Sequence, residues 1–280
     1  MARGEAKPGS AGNGDPGKHL LALRGFSKSF GSVRALHDVD FEVDAREIVA
    51  LVGDNGAGKS TLIKAIDGVQ PPDDGDAYFE GKEVRISDPQ TAERLGIATV
   101  FQDLALCDNL DVVANLFLGK ELADAAPIEV LDEVDMEQRA KQLLDDLSVT
   151  SLGSVRTEVG TLSGGQRQSV AIARTLIGKP KMVLFDEPTA ALGVAQTAQV
   201  LGLVKRLAEE GLGVVMISHN LDDVFQVADR IVVLRLGERV ATFDRKKATP
   251  EQVVGAITGA GTAEMRRLEE EAENRLKKDG

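Results

Sequence analysis

The chain has 280 residues, 42% of them hydrophobic and 28% charged, which is enough for one large globular domain or two lobes sharing a core. Its formal net charge of −12 argues against nucleic acid as a partner, because that surface needs a surplus of Lys and Arg. A single cysteine, Cys107, excludes an intrachain disulfide, and no apolar run approaches the roughly 20 residues of a membrane-crossing helix.

Residues 1–17 are mostly Gly, Ala, Ser, Pro and charges with no signal-peptide core, and are predicted to form a disordered tail. The folded domain is predicted over 18–261. It opens with strands at His19–Leu23 and, with clear alternation, at Val39–Val43. Short apolar runs at Ile48–Val52, Ala98–Phe101, Met182–Phe185 and Val214–Ile217 read as buried parallel strands, with Ile231–Leu234 extending the same sheet. Between the first two of these, Gly75–Ile86 reads as a hairpin turning at Gly81, entered through the turn Pro71–Gly75. Residues 103–176 read as a mainly helical subdomain. There Asp135 and Gln138 are spaced as a capping box, and Met136, Ala140, Leu143, Leu144 and Leu147 recur at helical spacing. From 262 to 280, Glu alternates with Arg and Lys, as in a charged C-terminal helix or tail. Strands alternating with helices predict an α/β fold, and neither an internal repeat nor a second phosphate loop is present.

Strand Ile48–Val52 runs directly into Gly53-Asp54-Asn55-Gly56-Ala57-Gly58-Lys59-Ser60-Thr61. A helix follows, with Leu62, Ile63 and Ile66 on one face and Gly68 as its stop. In this strand–loop–helix setting the glycines let successive N–H groups converge on phosphate oxygens, helped by the helix N-terminus. Lys59 would reach the β- and γ-phosphates of ATP, and Ser60 would offer its hydroxyl to Mg²⁺. Met182–Phe185 delivers two adjacent carboxylates at a strand's carboxyl end, where α/β sheets bind ligands. Asp186 is a candidate Mg²⁺ ligand, and Glu187 a candidate base for the attacking water.

Leu162-Ser163-Gly164-Gly165-Gln166 narrows the class, since chance alone would supply this pentapeptide in on the order of one in a few thousand chains of this length. Physically it is a second anion site, with Ser163 capping a helix that continues through Gln168, Ile172 and Leu176 to Gly178. Here the sequence resembles the ATP-binding subunits of ABC transporters, over about Leu20 to Ile257. The resemblance implies a P-loop NTPase core with an antiparallel β lobe and a helical subdomain. It also implies a head-to-tail dimer, formed with a second copy or a paralogous subunit, in which Ser163 and Gly165 touch the γ-phosphate held by the partner's Lys59. By the same resemblance Phe30 matches the aromatic that stacks on adenine. Gln102 matches the glutamine that senses Mg²⁺ and water, and His219 the histidine that contacts the γ-phosphate.

Glu187–Gly193, Val159–Thr161 and Asn115–Gly119 look like simple-sugar importers of the ribose, xylose and fructose type. The implied setting is the cytoplasmic face of the cell membrane, peripheral, beside an embedded permease and, indirectly, a sugar-binding protein. Most of the family carries Asp where this chain has Gly193, and many sugar importers fuse two such units where this chain has one. An importer or exporter of another substrate, or a soluble ATPase of the same type, is the alternative reading.

Overall fold

The computed structural model describes residues 16–122, 131–147, 149 and 152–260. The predicted tail up to residue 15 and the predicted charged segment 262–280 lie outside the described residues. Pro16–Lys18, which span the boundary predicted at residue 17, form a short 3-10 turn.

The N-terminal strands are longer than their apolar cores suggested: β1 spans Leu21–Phe30 and β2 spans Val33–Val43. With β4 (Asp74–Phe79) and β5 (Lys82–Val84), the predicted hairpin, they make an antiparallel sheet in the order β2-β1-β4-β5. The second sheet comprises β3 (Ile48–Val52), β6 (Ile97–Val100), β7 (Met182–Asp186), β8 (Gly213–Ile217), β9 (Arg230–Arg235) and β10 (Glu238–Asp244). Its order is β10-β9-β3-β8-β7-β6, parallel throughout except for β10, which pairs antiparallel at the edge.

The parallel sheet is buried on both faces, as crossover helices require. Along β3, Ile48, Ala50 and Val52 face one core, packed with α6 (Val194–Glu209), α7 (Leu221–Val227) and α8 (Pro250–Thr258). Val49 and Leu51 face the other core, against α1 (Lys59–Ile66), α2 (Pro89–Leu95) and the antiparallel sheet. Each fully buried Val, Leu or Ile here contributes about 1.5–3 kcal/mol relative to exposure. This layering therefore fixes where the strand ends stand.

The predicted helical stretch contains three described α-helices: α3 (Val112–Phe117), α4 (Glu133–Asp146) and α5 (Gly164–Leu176). Val112, Leu116, Met136, Leu144 and Ile172 share the first core with the sheet, which ties this lobe to it. The chain from 103 to 110 is not helical. Fully buried Asn115 holds it by accepting from the Cys107 amide (2.8 Å) and donating to the Cys107 carbonyl (2.9 Å). The capping box expected at Asp135 is not formed. Asp132 caps α4 one turn earlier, its Oδ1 accepting from the Asp135 amide at 2.9 Å, while Asp135 pairs with Arg139 on the surface.

Asp132→Ala should therefore cost about 1 kcal/mol of unfolding free energy. Asp135→Ala should stay within about 0.5 kcal/mol of wild type, as expected for an exposed ion pair. Urea denaturation of the two variants checks this, and equal losses would contradict the cap assignment.

Candidate active site

The loop between β3 and α1 approaches neighbouring backbone so closely that two of its positions exclude any side chain. A Cβ on Gly53 (φ 152°) would sit 2.2 Å from the Leu234 carbonyl oxygen, and one on Gly58 (φ 101°) would sit 2.6 Å from that of Ala35. Gly58 also leads into α1 without a side-chain cap, so the first-turn amides keep their affinity for an anion. Ser60 is exposed on that turn, with Thr61 half-buried behind it, while Asp54, Asn55 and Gly56 form the open rim and Ala57 the buried base. Lys59 is only 8% exposed, and its Nζ donates to the carbonyls of Gly53 (2.8 Å) and Asp54 (2.9 Å). Burial pulls its pKa down, against the opposing charges of Glu187, Asp54 and Asp186.

Strand register lines up the remaining groups. Leu51 pairs with Ile217, Asp186 with Ile217, and Val100 with Phe185. The carboxyl ends of β3, β8, β7 and β6 therefore form one row bearing Gly53, then Ser218–His219, then Asp186–Glu187, then Gln102 just past β6. Burial raises the Asp186 pKa, the neighbouring Glu187 charge adds to this, and Lys64 and Lys59 oppose it. Glu187 follows β7 at φ +52°, an uncommon conformation for a residue with a side chain, and its amide donates to Ile217 at 3.1 Å. That turn brings its Oε2 within 3.3 Å of His219 Nδ1, whose ring is largely exposed. Behind it, Thr189 Oγ1 donates to buried Asp223 at 2.7 Å, a brace for this loop that no local sequence signal marked.

A cavity of about 520 Å³ opens beside the loop, lined by Gly53, Asp54, Asn55, Glu187, Ser218 and His219 among others. None of Ser163, Gly164, Gly165 or Gln166 lines it. Those residues form the N-terminus of α5, where Ser163 is the predicted cap and Gln166 closes a reciprocal box that the sequence reading did not include: the Ser163 amide donates to Gln166 Oε1 (2.9 Å), and the Gln166 amide to Ser163 Oγ (3.4 Å). Ser163 and Gly164 are exposed. Phe30 ends β1 with 45% of its surface exposed and Lys28 Nζ 5.8 Å from its ring centre, so it is a surface aromatic and not a core one.

On the far side of Gln102 a groove of about 310 Å³ separates the sheet from the helical lobe, lined in part by Asp67, Val69, Phe101, Leu118, Lys120 and Arg174. Asp67 caps the end of α1 and accepts from the Val69 amide at 3.0 Å. Burial pushes its carboxyl up to about 6.

The family model described as ABC transporter matches residues 36–190. The fructose import ATP-binding protein of Rhizobium meliloti is 43% identical over 245 residues, spanning 86% of this chain and 94% of the relative. The xylose/arabinose import ATP-binding protein of Sulfolobus acidocaldarius is 44% identical over 239 residues, spanning 85% and 94%. Among solved structures, a dimeric ATP-binding cassette in a post-hydrolysis state with ADP and Pi superposes with a TM-score of 0.68 at 26% identity, covering 81% of this chain and 99% of that one.

The Asp67 carboxyl binds its proton up to about pH 6 in the folded chain but only near 3.8 when unfolded. The native state thus holds more protons across that window, and the stability contribution is lost as pH rises through it. Asp67→Asn keeps the acceptor for Val69 and should be more stable than wild type at pH 7 by on the order of 2–3 kcal/mol. The advantage should fade by about pH 4. Denaturation at both pH values checks the sign, and a variant no more stable than wild type at pH 7 would refute it.

Proposed function

The chain belongs to the ABC transporter family, as one of the subunits that bind ATP and hydrolyse it to drive transport, and from that membership we propose that it powers an importer of simple sugars. The substrate class rests on the fructose and xylose/arabinose import relatives, each matched over nearly its whole length. The observation that carries the mechanism is the division of the reacting groups. Glu187 and His219 line one cavity together with Gly53 and Asp54, whose carbonyls hold the Lys59 ammonium, and no residue of the anion-binding end of α5 lines it.

A second chain, either another copy or a paralogous subunit, then completes the site head to tail. Its Ser163 and Gly165 would meet the γ-phosphate bound at Lys59, and Phe30 would stack on the adenine. Moving a dimer from mostly open to mostly closed requires about 5.5 kcal/mol of differential binding. A hydrogen bond to a charged group contributes roughly 1.5–3 kcal/mol, so two donors at each of two sites cover it. Cleavage removes the γ-phosphate, and the closed state loses those contacts.

The donor set suits Mg²⁺, which is held by one or two carboxylates together with substrate phosphates. Ser60 offers an exposed hydroxyl, Asp186 a half-buried carboxylate whose pKa is raised by burial and by Glu187, and Gln102 a carboxamide in the same row. When bound there, the ion would offset charge on the β- and γ-phosphates. Glu187 orients the attacking water and takes its proton. His219, 3.3 Å from Glu187, holds the γ-phosphate end of the site. Lys59 supplies the fixed positive charge.

No helix among the described residues is long and apolar enough to cross a membrane. In our reading residues 18–261 form the ATP-binding unit, peripheral at the cytoplasmic face. The groove beyond Gln102 receives the permease, and an external binding protein delivers the sugar. Gln102 then links nucleotide state to the groove through Phe101, which lines it.

Glu187→Gln should keep ATP affinity while hydrolysis falls by at least about 100-fold, the lower range for losing a general base. An ATP-bound dimer should then accumulate in size-exclusion chromatography, and normal turnover would remove Glu187 from its role. Mixing Ser163→Arg protein with Lys59→Ala protein should restore activity above either variant alone, because one of the two composite sites is then intact. No gain on mixing argues against head-to-tail assembly. Reconstituted with its permease, the ATPase should be stimulated by a binding protein loaded with fructose, xylose or ribose. Stimulation only by a protein loaded with a non-sugar would overturn the substrate class.

A further inference from the structure

Gln196 lies in the first turn of α6, in a place that the phosphate loop and the α5 motif leave unexplained. Gly193 precedes that helix as its N-cap and provides no side chain. The space where one would begin is taken by Gln196: a Cβ on Gly193 would sit 2.7 Å from Gln196 Oε1. The stem of the same side chain presses on the other motif. A Cβ on Gly165 would come 2.6 Å from Gln196 Cγ and 2.9 Å from its Cβ. Gly164, on the same turn of α5, faces Leu192 Cδ2 at 3.6 Å from where its own Cβ would lie. One half-buried glutamine therefore touches both the anion-binding end of α5 and the end of the Glu187 loop. That loop is short and internally tied, with the Ala190 amide donating to the Glu187 carbonyl at 3.1 Å and Thr189 anchored on Asp223.

The two contacts differ in kind. The carboxamide at Gly193 is the free end of a flexible side chain and could be displaced. The stem at Gly165 is fixed to α6 and could not move without the helix. We propose that Gln196 is a positioning residue that locks the Ser163–Gly165 end of α5 to the Glu187 loop of the same chain, and so couples the two nucleotide sites of the dimer. This rests on the head-to-tail reading above. In that dimer Ser163–Gly165 closes on nucleotide held by the partner, whereas Glu187 acts on nucleotide held by its own chain. A rigid link between them spans the two sites. With glycine at 193, the side chain that makes this link comes from the helix and not from the loop.

The experiment measures ATPase rate against ATP concentration for the full chain as wild type, Gln196→Ala, Gly193→Asp and the double variant. Binding of a fluorescent ADP and the thermal midpoint are followed alongside. Wild type should respond sigmoidally. Gln196→Ala should lose about fivefold or more in kcat, with a Hill coefficient falling to about 1, while ADP affinity and thermal midpoint hold. The double variant should recover the sigmoidal response, because the aspartate side chain enters the vacated space. Gly193→Asp alone, with two side chains competing for that space, should not. A Gln196→Ala enzyme with wild-type kcat and sigmoidicity overturns the proposal, as does one whose ADP affinity and thermal midpoint fall together with kcat. If the wild type responds hyperbolically and the Glu187→Gln chain stays monomeric with ATP, the head-to-tail reading fails and takes this inference with it.

Discussion

Lys59 is an ammonium with little access to water, and burying a charge is costly unless oxygen atoms surround it. The Gly53 and Asp54 carbonyls do so at 2.8 and 2.9 Å, which they can do only because the chain folds back over its own strand end. That fold in turn demands glycine where the loop grazes the Leu234 and Ala35 carbonyls. Both contacted carbonyls belong to other strands or their connections, so the lysine's position depends on the antiparallel sheet and on β9 together. Burial lowers the lysine's pKa while three carboxylates oppose that shift. The site is thus built around one cation whose charge is in demand, and a triphosphate answers that demand.

The same dependence explains why the parallel sheet is buried on both faces. A row of strand ends can present Gly53, His219, Glu187 and Gln102 at matched heights only if the register of four strands is fixed. Alternation between the two cores along β3, β7 and β8 fixes it, because a one-residue slip would exchange their contents. Glu187 then departs from regular geometry at φ +52°, immediately after a strand whose last residue is still in register with Ile217. Strain placed directly beyond a rigid element aims a side chain without loosening what supports it.

Much of this was legible in the sequence because the relevant signals are local. The phosphate loop, the apolar strands and the Ser163 cap of α5 are each contained in one short segment with its own spacing. What escaped depended on contacts between distant segments. Edge strand β10 alternates exposed and half-buried residues after a turn in which Leu236 adopts φ +50°, a conformation that nothing in its residue type announces. At α4, two acids three residues apart could each have capped the helix, and spacing alone favoured the wrong one. The Thr189–Asp223 brace and the packing of Gln196 on Gly165 join segments that the sequence keeps apart.

That last contact also changes the meaning of Gly193. Taken alone, a glycine at the N-cap of α6, with no side chain to offer, reads as a lost interaction. With Gln196 Oε1 in the space a side chain would need, the glycine is instead the condition for the neighbouring residue's position. Substituting one without the other removes the occupant or crowds it, so the two positions must be treated as one unit. The same reasoning extends to Gly165. Its value lies in the absence of a side chain that would force α5 and α6 apart. The helical lobe carrying α5 shares a continuous core with the sheet that carries Glu187. A single side chain wedged between α5 and α6 therefore joins two bodies already held in register by their interiors, and it does so at the surface where a second chain would be met.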